Sequence, residues 1–439
     1  MKSRIIGCFL VLALIHTKLE AQLWTITEKT SMPKRTSNNA VTEGLVNGIP
    51  TVFSFAGIDS TKLFSGIHLQ SFKYNTIADT WLQIPDLPDT LGKIACSASN
   101  VKNKIYIIGG YHVFVNGNEV SSNKVHIYAP ETNQYLSDGA NIPIAIDDQV
   151  QCVWRDSLIY VITGWSNNTN VPNVQIYNPS TNSWSVGTST PNTNIYKVFG
   201  AAGVIKNDTI YYYGGASTAT NFPAQKQLRI GIINPQNPLE IEWNAPLQHV
   251  NNYRCAATTD SLGNIYFLGG SATSYNYNGI AYNGSGGVAP IQQYHYFNTS
   301  NIAAITSVSS SLPMDLRGIA NINFSTKYIV GGMEEQQQVS NKTLELNFVS
   351  ALGINKSSAT NEQPLLYPNP CKDFITIRTI NNSIPSHYCI YNIQGEQVLQ
   401  GLLPNEFYTI SIGSLAAGFY YITSSNNSLM PYKFVKANE

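Results

Sequence analysis

One feature recurs six times along this chain and restricts its fold more than any other. It is an apolar, strand-like run that ends in a small residue followed by Gly, or in Gly-Gly. The runs are VFSFAG ending at Gly57, IYIIGG at Gly110, IYVITG at Gly164, IYYYGG at Gly215, IYFLGG at Gly270 and KYIVGG at Gly332. Successive doublets lie 51 to 62 residues apart. A period of this length indicates a repeat architecture in which each unit packs on its neighbours.

The residues of each repeat indicate sheets that are buried on both faces. The runs are apolar at consecutive positions, as in strands covered on either side. The Gly pair would end each run where the backbone adopts positive φ or passes close to other backbone. A second run follows most doublets and carries two aromatic residues seven apart, such as Tyr74 with Trp81. Radial stacking of such sheets would bury these aromatic rings between neighbours.

This repeat resembles the kelch motif, over roughly residues 23 to 350. The resemblance implies an all-β fold, a six-bladed kelch-type β-propeller over residues 22–348, followed by a small C-terminal β-sandwich. The last repeat reaches Thr343 to Leu346 and lacks its Trp-bearing strand, whereas Leu23 to Ile26 form a Trp-bearing strand without a preceding doublet. We therefore expect the N-terminal strand to be the outer strand of the sixth blade, which would close the ring.

The N-terminus has the pattern of a secretory signal peptide, which we assign to residues 1–21. Lys2 and Arg4 precede an apolar run from Ile5 to Ile15 that is too short to span a bilayer. No later segment has the length and apolarity of a membrane helix. Beyond this signal the chain keeps five cysteines, so at least one is unpaired in an exported protein. Cys371 and Cys389 could form a disulfide or remain separate buried thiols.

The C-terminal residues form a second module. Residues 349–364 lack periodicity and predict a linker, and residues 365–439 predict short strands separated by turns. The order and spacing of four segments resemble the type A sorting domain of the type IX secretion system. The motif residues are Tyr367, Pro368, Asn369, Pro370, Gly395, Gly418 and Lys433. The resemblance implies a Bacteroidetes-type protein whose C-terminal domain is recognised by the secretion machinery at the outer membrane and usually removed there.

The charge balance excludes one class of partner. The chain has 26 Lys and Arg against 26 Asp and Glu, and only 12% of its residues are charged. A nucleic-acid-binding protein needs a basic excess to neutralise phosphates, so we expect no nucleic-acid partner.

In an up-and-down blade, the segment before the inner strand and the loop after the Gly doublet share one face of the ring. That face is the default ligand site of propellers. Segments that enter the inner strands carry Arg35, Lys93, Asp148, Lys197, Arg254 and Arg317. The five basic residues among them predict a cationic rim suited to a carboxylate, a sulfate or an acidic sugar. Alternatively, these side chains bind blade carbonyls or neighbouring strands and hold the ring together.

Loops on the same face carry aromatic and amide side chains. Trp165 follows the third doublet, and the long loop after the fifth contains Tyr275, Tyr277 and Tyr282 among several Asn residues. Aromatic rings against sugar faces and amides against hydroxyls suit a glycan. A solvated, flexible loop of turn-forming residues is the alternative reading.

Catalytic motifs are scarce in this sequence. The seven His show no metal-ligand spacing, and no nucleophile elbow, phosphate loop or dinucleotide fingerprint occurs. We therefore expect neither a metal nor a cofactor. Glu334 follows the last doublet and could form an acid–base pair with Arg317. Such a pair loosely resembles the kelch-type sialic-acid mutarotases, at the level of the repeat only.

Together these patterns favour a non-enzymatic, exported propeller that binds a glycan or a protein. We expect it at the outer cell surface or released, after passage through the periplasm. The runner-up is a carbohydrate-active enzyme of the mutarotase type, with Glu334 and Arg317 on the same face.

Overall fold

The computed structural model of this protein describes residues 24–348, 365–378, 386–393, 395–403, 407–424 and 432–437. The described residues form β-strands and two short 3-10 helices, Phe64–Gly66 and Glu335–Gln337. None of their helices is long and apolar enough to cross a membrane. The signal segment 1–21 and the linker 349–364 lie outside the described residues.

Between residues 40 and 309, the main path of each of five blades consists of four strands in chain order, and the first of the four is always innermost. Strand β1 is Trp24–Lys29. Blade one contains β2 (Ala40–Val46), β3 (Ile49–Ile58), β4 (Ile67–Asn75) and β5 (Thr80–Ile84). Blade two contains β6 (Ile94–Val101), β7 (Lys104–Val113), β8 (Glu119–Ser121), β9 (Val125–Ala129) and β10 (Gln134–Tyr135), with the short β8 beside β7.

Blade three contains β11 (Val150–Trp154), β12 (Leu158–Ile162), β15 (Val174–Asn178) and β16 (Ser183–Gly187). A small hairpin, β13 (Trp165–Ser166) with β14 (Thr169–Asn170), projects from it. Blade four contains β17 (Phe199–Lys206), β18 (Thr209–Ala216), β19 (Gln225–Asn234) and β20 (Asn237–Asn252). Blade five contains β21 (Ala256–Thr259), β22 (Asn264–Leu268), β23 (Gln293–Asn298) and β24 (Asn301–Ser309).

The last blade joins both ends of the propeller sequence. Its strands are β26 (Ala320–Asn321), β27 (Thr326–Val330) and β28 (Thr343–Phe348), while β25 (Arg317–Gly318) pairs with β2 of blade one. Strand β1 completes the sheet as its outermost strand, antiparallel to β28, with Trp24 opposite Phe348. Trp24 is fully buried and packs edge-on to Tyr266 of blade five, at a centroid distance of 5.1 Å. The structure thus confirms the predicted closure.

The Gly doublets adopt the conformation that their composition indicates. In all six repeats both residues of the doublet have positive φ, including the non-glycine residues Ala56 (54°) and Thr163 (47°). Close backbone approach adds a second reason for glycine. A Cβ on Gly109 would lie 2.3 Å from the carbonyl oxygen of Ile146 in the connection to the next blade. The doublets therefore fix where each blade meets its neighbour.

The aromatic pairs are cross-strand partners in the outer half of the blades. Tyr74 lies opposite Trp81, with ring centroids 5.2 Å apart, and Tyr177 lies opposite Trp184 at 5.0 Å. Tyr74 also contacts Tyr328 of blade six, at 5.6 Å. The rings therefore pack between sheets, as the sequence predicts.

The C-terminal module consists of two antiparallel sheets. Their strands are β29 (Leu365–Tyr367), β30 (Phe374–Arg378), β31 (Ser386–Asn392), β32 (Gln397–Leu403), β33 (Phe407–Ser411), β34 (Gly418–Ser424) and β35 (Tyr432–Lys436). Ile375, Ile390, Ile410 and Phe434 lie in its core and are almost fully buried. Cys371 and Cys389 are free thiols, and the Cys371 thiol donates to the carbonyl of Val435. Of the two readings of this pair, the structure contains the separate thiols.

The sorting-motif residues connect the first and last strands of this module. Asn369 donates from Nδ2 to the carbonyl of Lys433 (3.2 Å) and accepts the Val435 amide at Oδ1 (2.9 Å). Tyr367, Pro368 and Pro370 flank Asn369. The Lys433 ammonium lies 3.9 Å from the ring centroid of Phe419, next to Gly418. The motif thus ties the two ends of the domain together.

Candidate ligand sites at the two ends of the channel

The innermost strands of the blades surround a central channel. It contains a cavity of about 310 Å³ that is lined by residues of all six blades. We define its sealed end as the end where the inner strands begin, around Asn38, Ala95, Asp148, Gly200, Arg254 and Asp315. We define its open end as the end where they finish, around Val46, Val101, Trp154, Lys206, Thr259 and Asn321.

A ring of hydrogen bonds surrounds the sealed end. At each repeat, the amide of the residue at the start of the inner strand binds the preceding blade. The bonds run from the amides of Asp148, Gly200, Arg254, Leu316 and Asn38 to the carbonyls of Ala95, Asp148, Gly200, Arg254 and Asp315, and from the Ala95 amide to Oδ1 of Asn38. Their lengths are 2.8 to 3.2 Å. This ring draws the six blades together at the channel axis.

Arg254 lies at the centre of this end and is buried. Its guanidinium binds both oxygens of Asp148, at 3.1 and 2.6 Å, and Oδ1 of Asp315 at 2.8 Å. Asp315 also accepts the hydroxyl of Ser37. Burial disfavours the charge of Arg254, but its pKa is nevertheless raised, chiefly by Asp148. The two carboxylates therefore satisfy this guanidinium.

Arg317 reaches the same network from blade six. Its Nη1 lies 3.4 Å from Asp148, and its Nη2 donates to Ser97 Oγ (3.0 Å) and to the carbonyl of Gln149 (2.9 Å). The two arginines thus share the carboxylate of Asp148, and Asp315 pairs with Arg254. Asp147 is buried beside Asp148, and burial together with that neighbour raises its pKa well above the usual range. The sealed end consequently carries no surplus positive charge.

The other predicted rim residues lie at different positions. Arg35 donates to the carbonyl of Val339 in blade six (3.0 Å), and Lys197 is half-buried before blade four. The segments before the inner strands differ in length. Residues at comparable sequence positions in different repeats therefore do not lie at the same height along the channel, and the five basic residues do not form one ring. Arg35 binds a carbonyl and Arg254 and Arg317 bind carboxylates, as the alternative structural reading predicts for these three residues.

Lys93 belongs to a separate buried cluster between blades one and two. Its ammonium lies 2.5 Å from Asp89 Oδ2 and 3.3 Å from His126 Nε2, and His126 Nδ1 lies 2.9 Å from Asp138. Burial would raise the pKa of Asp89, but the His126 hydrogen bond and the Lys93 charge hold it well below its usual value. His112 Nε2 lies 3.7 Å from the same carboxylate. Lys93 is therefore neutralised inside the fold.

Aromatic side chains form a half-exposed patch at the sealed end. We define the aromatic patch as Trp165, Phe222 and Tyr282, all half-buried. Phe222 lies 5.6 Å from Trp165 and 5.1 Å from Tyr282 between ring centroids, both edge to face. Phe199 packs beneath all three at 5.6 to 6.2 Å. Phe222 is absent from the sequence-based site, although its place in the loop after the fourth doublet could have indicated it.

The long loop of blade five lies across the sealed end. Ser274 Oγ donates to the carbonyl of Phe222 (2.5 Å), and Gln337 of blade six donates to the carbonyl of Val288 in the loop (2.6 Å). Tyr275 is fully buried, with its ring centroid 5.7 Å from the Arg254 guanidinium carbon. Tyr277 is half-buried against an apolar cluster of blades one and two. Of the three predicted tyrosines, Tyr282 is therefore the one that belongs to the aromatic patch and contributes surface for a ligand.

Glu334 and Arg317 lie in different cavities. Glu334 is paired with the ammonium of Lys342 (2.7 Å) and accepts the hydroxyl of Ser340 (3.1 Å). It lines a surface cavity of about 430 Å³, which does not include Arg317. Arg317 lines the channel cavity. The structure does not bring the two predicted acid–base partners together.

Within the described part of the chain, no group of three or more His, Cys, Asp or Glu is arranged to hold a metal ion.

Two family models match separate parts of the chain. A Kelch motif matches residues 95–136 and 155–191, and a secretion system C-terminal sorting domain matches residues 365–436. Beta-agarase A of Zobellia galactanivorans is 33% identical over 84 residues, which is 19% of this chain. The match spans 15% of the length of that agarase.

Two solved structures share the fold. The structure of YjhT has a TM-score of 0.56 at 18% identity, covering 72% of this chain and 95% of that chain. A fungal alcohol oxidase of the AA5 family in complex with copper has a TM-score of 0.55 at 13% identity, covering 95% of this chain and 100% of that chain. At these identities the likeness concerns the fold alone.

Proposed function

Since this chain is a kelch-repeat propeller with a C-terminal secretion sorting domain that directs it to the cell surface or the exterior, we propose that it is a non-catalytic binding module for a neutral glycan. The observation that carries this proposal is the aromatic patch beside a charge-compensated network. Half-exposed aromatic rings offer apolar faces to sugar rings. Because Asp148 and Asp315 neutralise Arg254 and Arg317, an anionic group would find no unpaired cation there.

Amide groups around the patch add hydrogen-bond donors. In the blade-five loop, Asn276, Asn278 and Asn283 accept backbone amides at their Oδ1 atoms, at 2.7 to 3.0 Å. Their Nδ2 groups remain as donors, and sugar hydroxyls accept such donors. The loop thereby combines fixed turn geometry with groups suited to a carbohydrate.

A glycan array probed with the full chain tests this proposal. The array should include neutral oligosaccharides, agarose-derived ones among them because of the name of the partial relative, together with sialylated and sulfated glycans. We expect binding to neutral glycans. Trp165→Ala and Phe222→Ala should each weaken it by roughly three- to tenfold, since aromatic contacts contribute about 0.5–1.5 kcal/mol each.

Phe114→Ala is the matched control, because Phe114 is an exposed aromatic of blade two outside the patch. It should leave binding unchanged. A chain that binds no neutral glycan, or that binds equally well without Trp165, would contradict the proposal. Capture of a protein by the same surface would instead support a protein ligand.

A second candidate is an enzyme of the sialic-acid mutarotase type. The pairing of Glu334 with Lys342 beside a cavity of about 430 Å³ is the observation that favours it, since such a pair can exchange protons. Anomer exchange of N-acetylneuraminic acid, followed by NMR with the full chain and with Glu334→Gln, tests it. A rate that the full chain does not accelerate would exclude this candidate.

A further inference from the structure

Two residues that line the channel each carry a buried polar atom without a hydrogen-bond partner. Arg317 Nε is a donor and Gln149 Oε1 is an acceptor, and neither is hydrogen-bonded. The two residues are 6% and 1% exposed, and both line the channel cavity. Their positions are coupled, because Arg317 Nη2 binds the Gln149 carbonyl. A buried donor and acceptor left without partners are costly unless something fills the site.

The chemistry of these atoms indicates an uncharged hydroxyl compound. A hydroxyl group can accept from Nε–H and donate to Oε1 at the same time. Further hydroxyl and amide side chains line the walls, among them Ser99, Gln151 and Thr258. The cavity of about 310 Å³ lies at the lower limit of roughly 300–1,000 Å³ typical of ligand pockets. That volume fits a molecule of monosaccharide size.

Access to the cavity is from the open end. There it is continuous with a larger cavity of about 930 Å³, because Glu43, Asn100 and Asn321 line both. At the sealed end the buried ion network closes the axis. A ligand of the channel would therefore enter on the side opposite to the aromatic patch.

A turn of the sorting domain covers the open end. It lies between β31 and β32, where the Gly395 amide binds the Asn392 carbonyl (3.0 Å) and the Glu396 amide binds Asn392 Oδ1 (2.9 Å). Ile393 in this turn lines both cavities. The apolar side chain thus stands at the entrance of a polar channel.

Gly395 shows how closely the turn approaches the propeller. A Cβ at this position would lie 2.1 Å from Cζ of Phe324, a residue of blade six that lines the channel. Tyr421 of the same domain interacts with Asn323, next to Phe324: burial raises the pKa of Tyr421, and Asn323 lowers it in part. Gly395 also has a φ of 81°, so any side chain here would be strained as well as obstructed.

We propose that the central channel is a binding site for a small uncharged polyhydroxyl compound of monosaccharide size, and that the turn of the sorting domain at Ile393 and Gly395 covers its entrance. The site is separate from the aromatic patch and does not depend on the proposed glycan binding.

The full chain and its Gly395→Val variant test the closure. Isothermal titration with D-galactose should give at least tenfold tighter apparent binding to Gly395→Val, since the added side chain displaces the turn from Phe324. Gly413→Val is the matched control in the same domain, because a Cβ there would meet only Asp373 Oδ1 at 3.5 Å. Phe324→Ala removes the contact from the propeller side and is the second variant if Gly395→Val does not fold.

Gln149→Leu, introduced into the opened Gly395→Val or Phe324→Ala chain, tests the site itself. It removes the unpartnered acceptor and should weaken galactose binding at least tenfold. Gln175→Leu is the matched control, because Gln175 is a buried glutamine that bonds both backbone groups of Ile144 in the preceding connection. Binding should persist in that variant.

Each other result contradicts a part of the proposal. Equal galactose binding by the full chain and the opened variants would overturn the closure. Absence of galactose binding to every opened variant would show a channel filled by water and overturn the ligand site. Equal losses in Gln149→Leu and Gln175→Leu would also overturn it.

Discussion

At the sealed end, Arg254 and Arg317 share the carboxylate of Asp148, Arg254 also binds Asp315, and all four residues belong to the propeller. At the open end, the groups that cover the channel, Ile393 and Gly395, belong to the other domain. A buried ion network within one fold cannot be broken without leaving unpaired charge inside it. A turn of a neighbouring domain can leave without unpairing any charge of the channel wall. The sealed end is therefore part of the stability of the propeller, whereas the proposed cover at the open end is not.

The largest effect should follow from breaking the sealed end. Arg254→Met keeps most of the side-chain volume but leaves Asp148 and Asp315 buried without their main partner. We expect the free energy of unfolding to fall by about 3–5 kcal/mol, as when one partner of a buried ion pair is removed. Urea denaturation followed by tryptophan fluorescence measures this change.

Arg155→Met is the control for an exposed pair. Arg155 binds Asp208 at 2.8 Å, with its side chain 48% exposed, so the expected loss is below about 1 kcal/mol. Similar losses in Arg254→Met and Arg155→Met would mean that the network does not hold the sealed end together.

The next effect depends on pH and arises from Asp147, which lies beside the network. Burial and the adjacent Asp148 raise its pKa in the folded chain, so it contributes stability at acid pH that is lost as pH rises above the unfolded pKa. Asp147→Asn needs no proton and keeps a partner in Ser121, which lies 2.5 Å from the carboxyl. The variant should gain stability over the parent between pH 4.5 and 8, by about 1.4 kcal/mol per unit of pKa difference.

The stability of Asp79→Asn relative to the parent should depend on pH in the opposite sense. The Tyr74 hydroxyl (2.6 Å) and the Thr30 amide (2.9 Å) lower the pKa of this exposed carboxyl, so its stabilisation is present at neutral pH and lost in acid. Denaturant titrations check the signs, for Asp147→Asn at pH 4.5 and 8 and for Asp79→Asn at neutral pH and at a pH below the ordinary carboxyl pKa of about 3.9. If the two variants respond alike to pH, the burial of Asp147 has no electrostatic consequence.

A smaller change in stability should distinguish the two doublets whose first residue is not glycine, Ala56-Gly57 and Thr163-Gly164. Thr163 Oγ1 accepts the amide of Val198 (2.9 Å) at the start of blade four and donates to the carbonyl of Val171 (2.9 Å) within blade three, so the first of these bonds joins the two blades. Thr163→Gly should cost about 1–3 kcal/mol, because it leaves a buried amide unpaired. Ala56→Gly has two opposing effects on stability. It relieves about 1–2 kcal/mol of strain from the positive φ, and it loses about 0.8 kcal/mol from the buried methyl group.

Thermal unfolding of the two variants measures this difference. A Thr163→Gly chain as stable as Ala56→Gly would show that the hydroxyl does not bridge blades three and four.

The smallest effect is expected at the open end. Tyr421→Phe removes the hydroxyl that interacts with Asn323, while the ring remains. Because this interaction joins two domains, the free energy of propeller unfolding should change by less than about 0.5 kcal/mol. Hydrogen exchange of amides near Phe324 should nevertheless accelerate. Destabilisation of the whole propeller by Tyr421→Phe would mean that both ends of the channel belong to one cooperative unit.

The architecture could be predicted from the sequence because its signals are local and repeated. Each doublet lies next to its own strand, and the Tyr74–Trp81 spacing records a cross-strand pair within one hairpin. The closure was also readable, since Trp24 is a strand residue without a doublet and Leu346 ends a blade without its outer strand.

The candidate site could not be predicted to the same extent, because its pairings join distant parts of the chain. Arg254 meets Asp148 and Asp315 across 106 and 61 residues, and no local pattern records such contacts. Considered without its partners, Arg254 therefore suggested a cationic rim, although Asp148 and Asp315 compensate its charge. The contact between the sorting domain and the open end could not be predicted either, since nothing near Gly395 or Phe324 in the sequence indicates that the two residues meet.

The pairing of β1 with β28 also constrains when the propeller can form. Strand β1 is the first part of the described chain to leave the ribosome or an export channel, and its partner Thr343–Phe348 follows some 300 residues later. Blade six therefore cannot assemble while the chain is emerging, and until it does Trp24 has no pocket. Closure of the ring is therefore a late event that waits for the arrival of the last strand. If the chain is transported in an extended state, the ring would thus stay open until nearly all of the propeller has passed through the export channel.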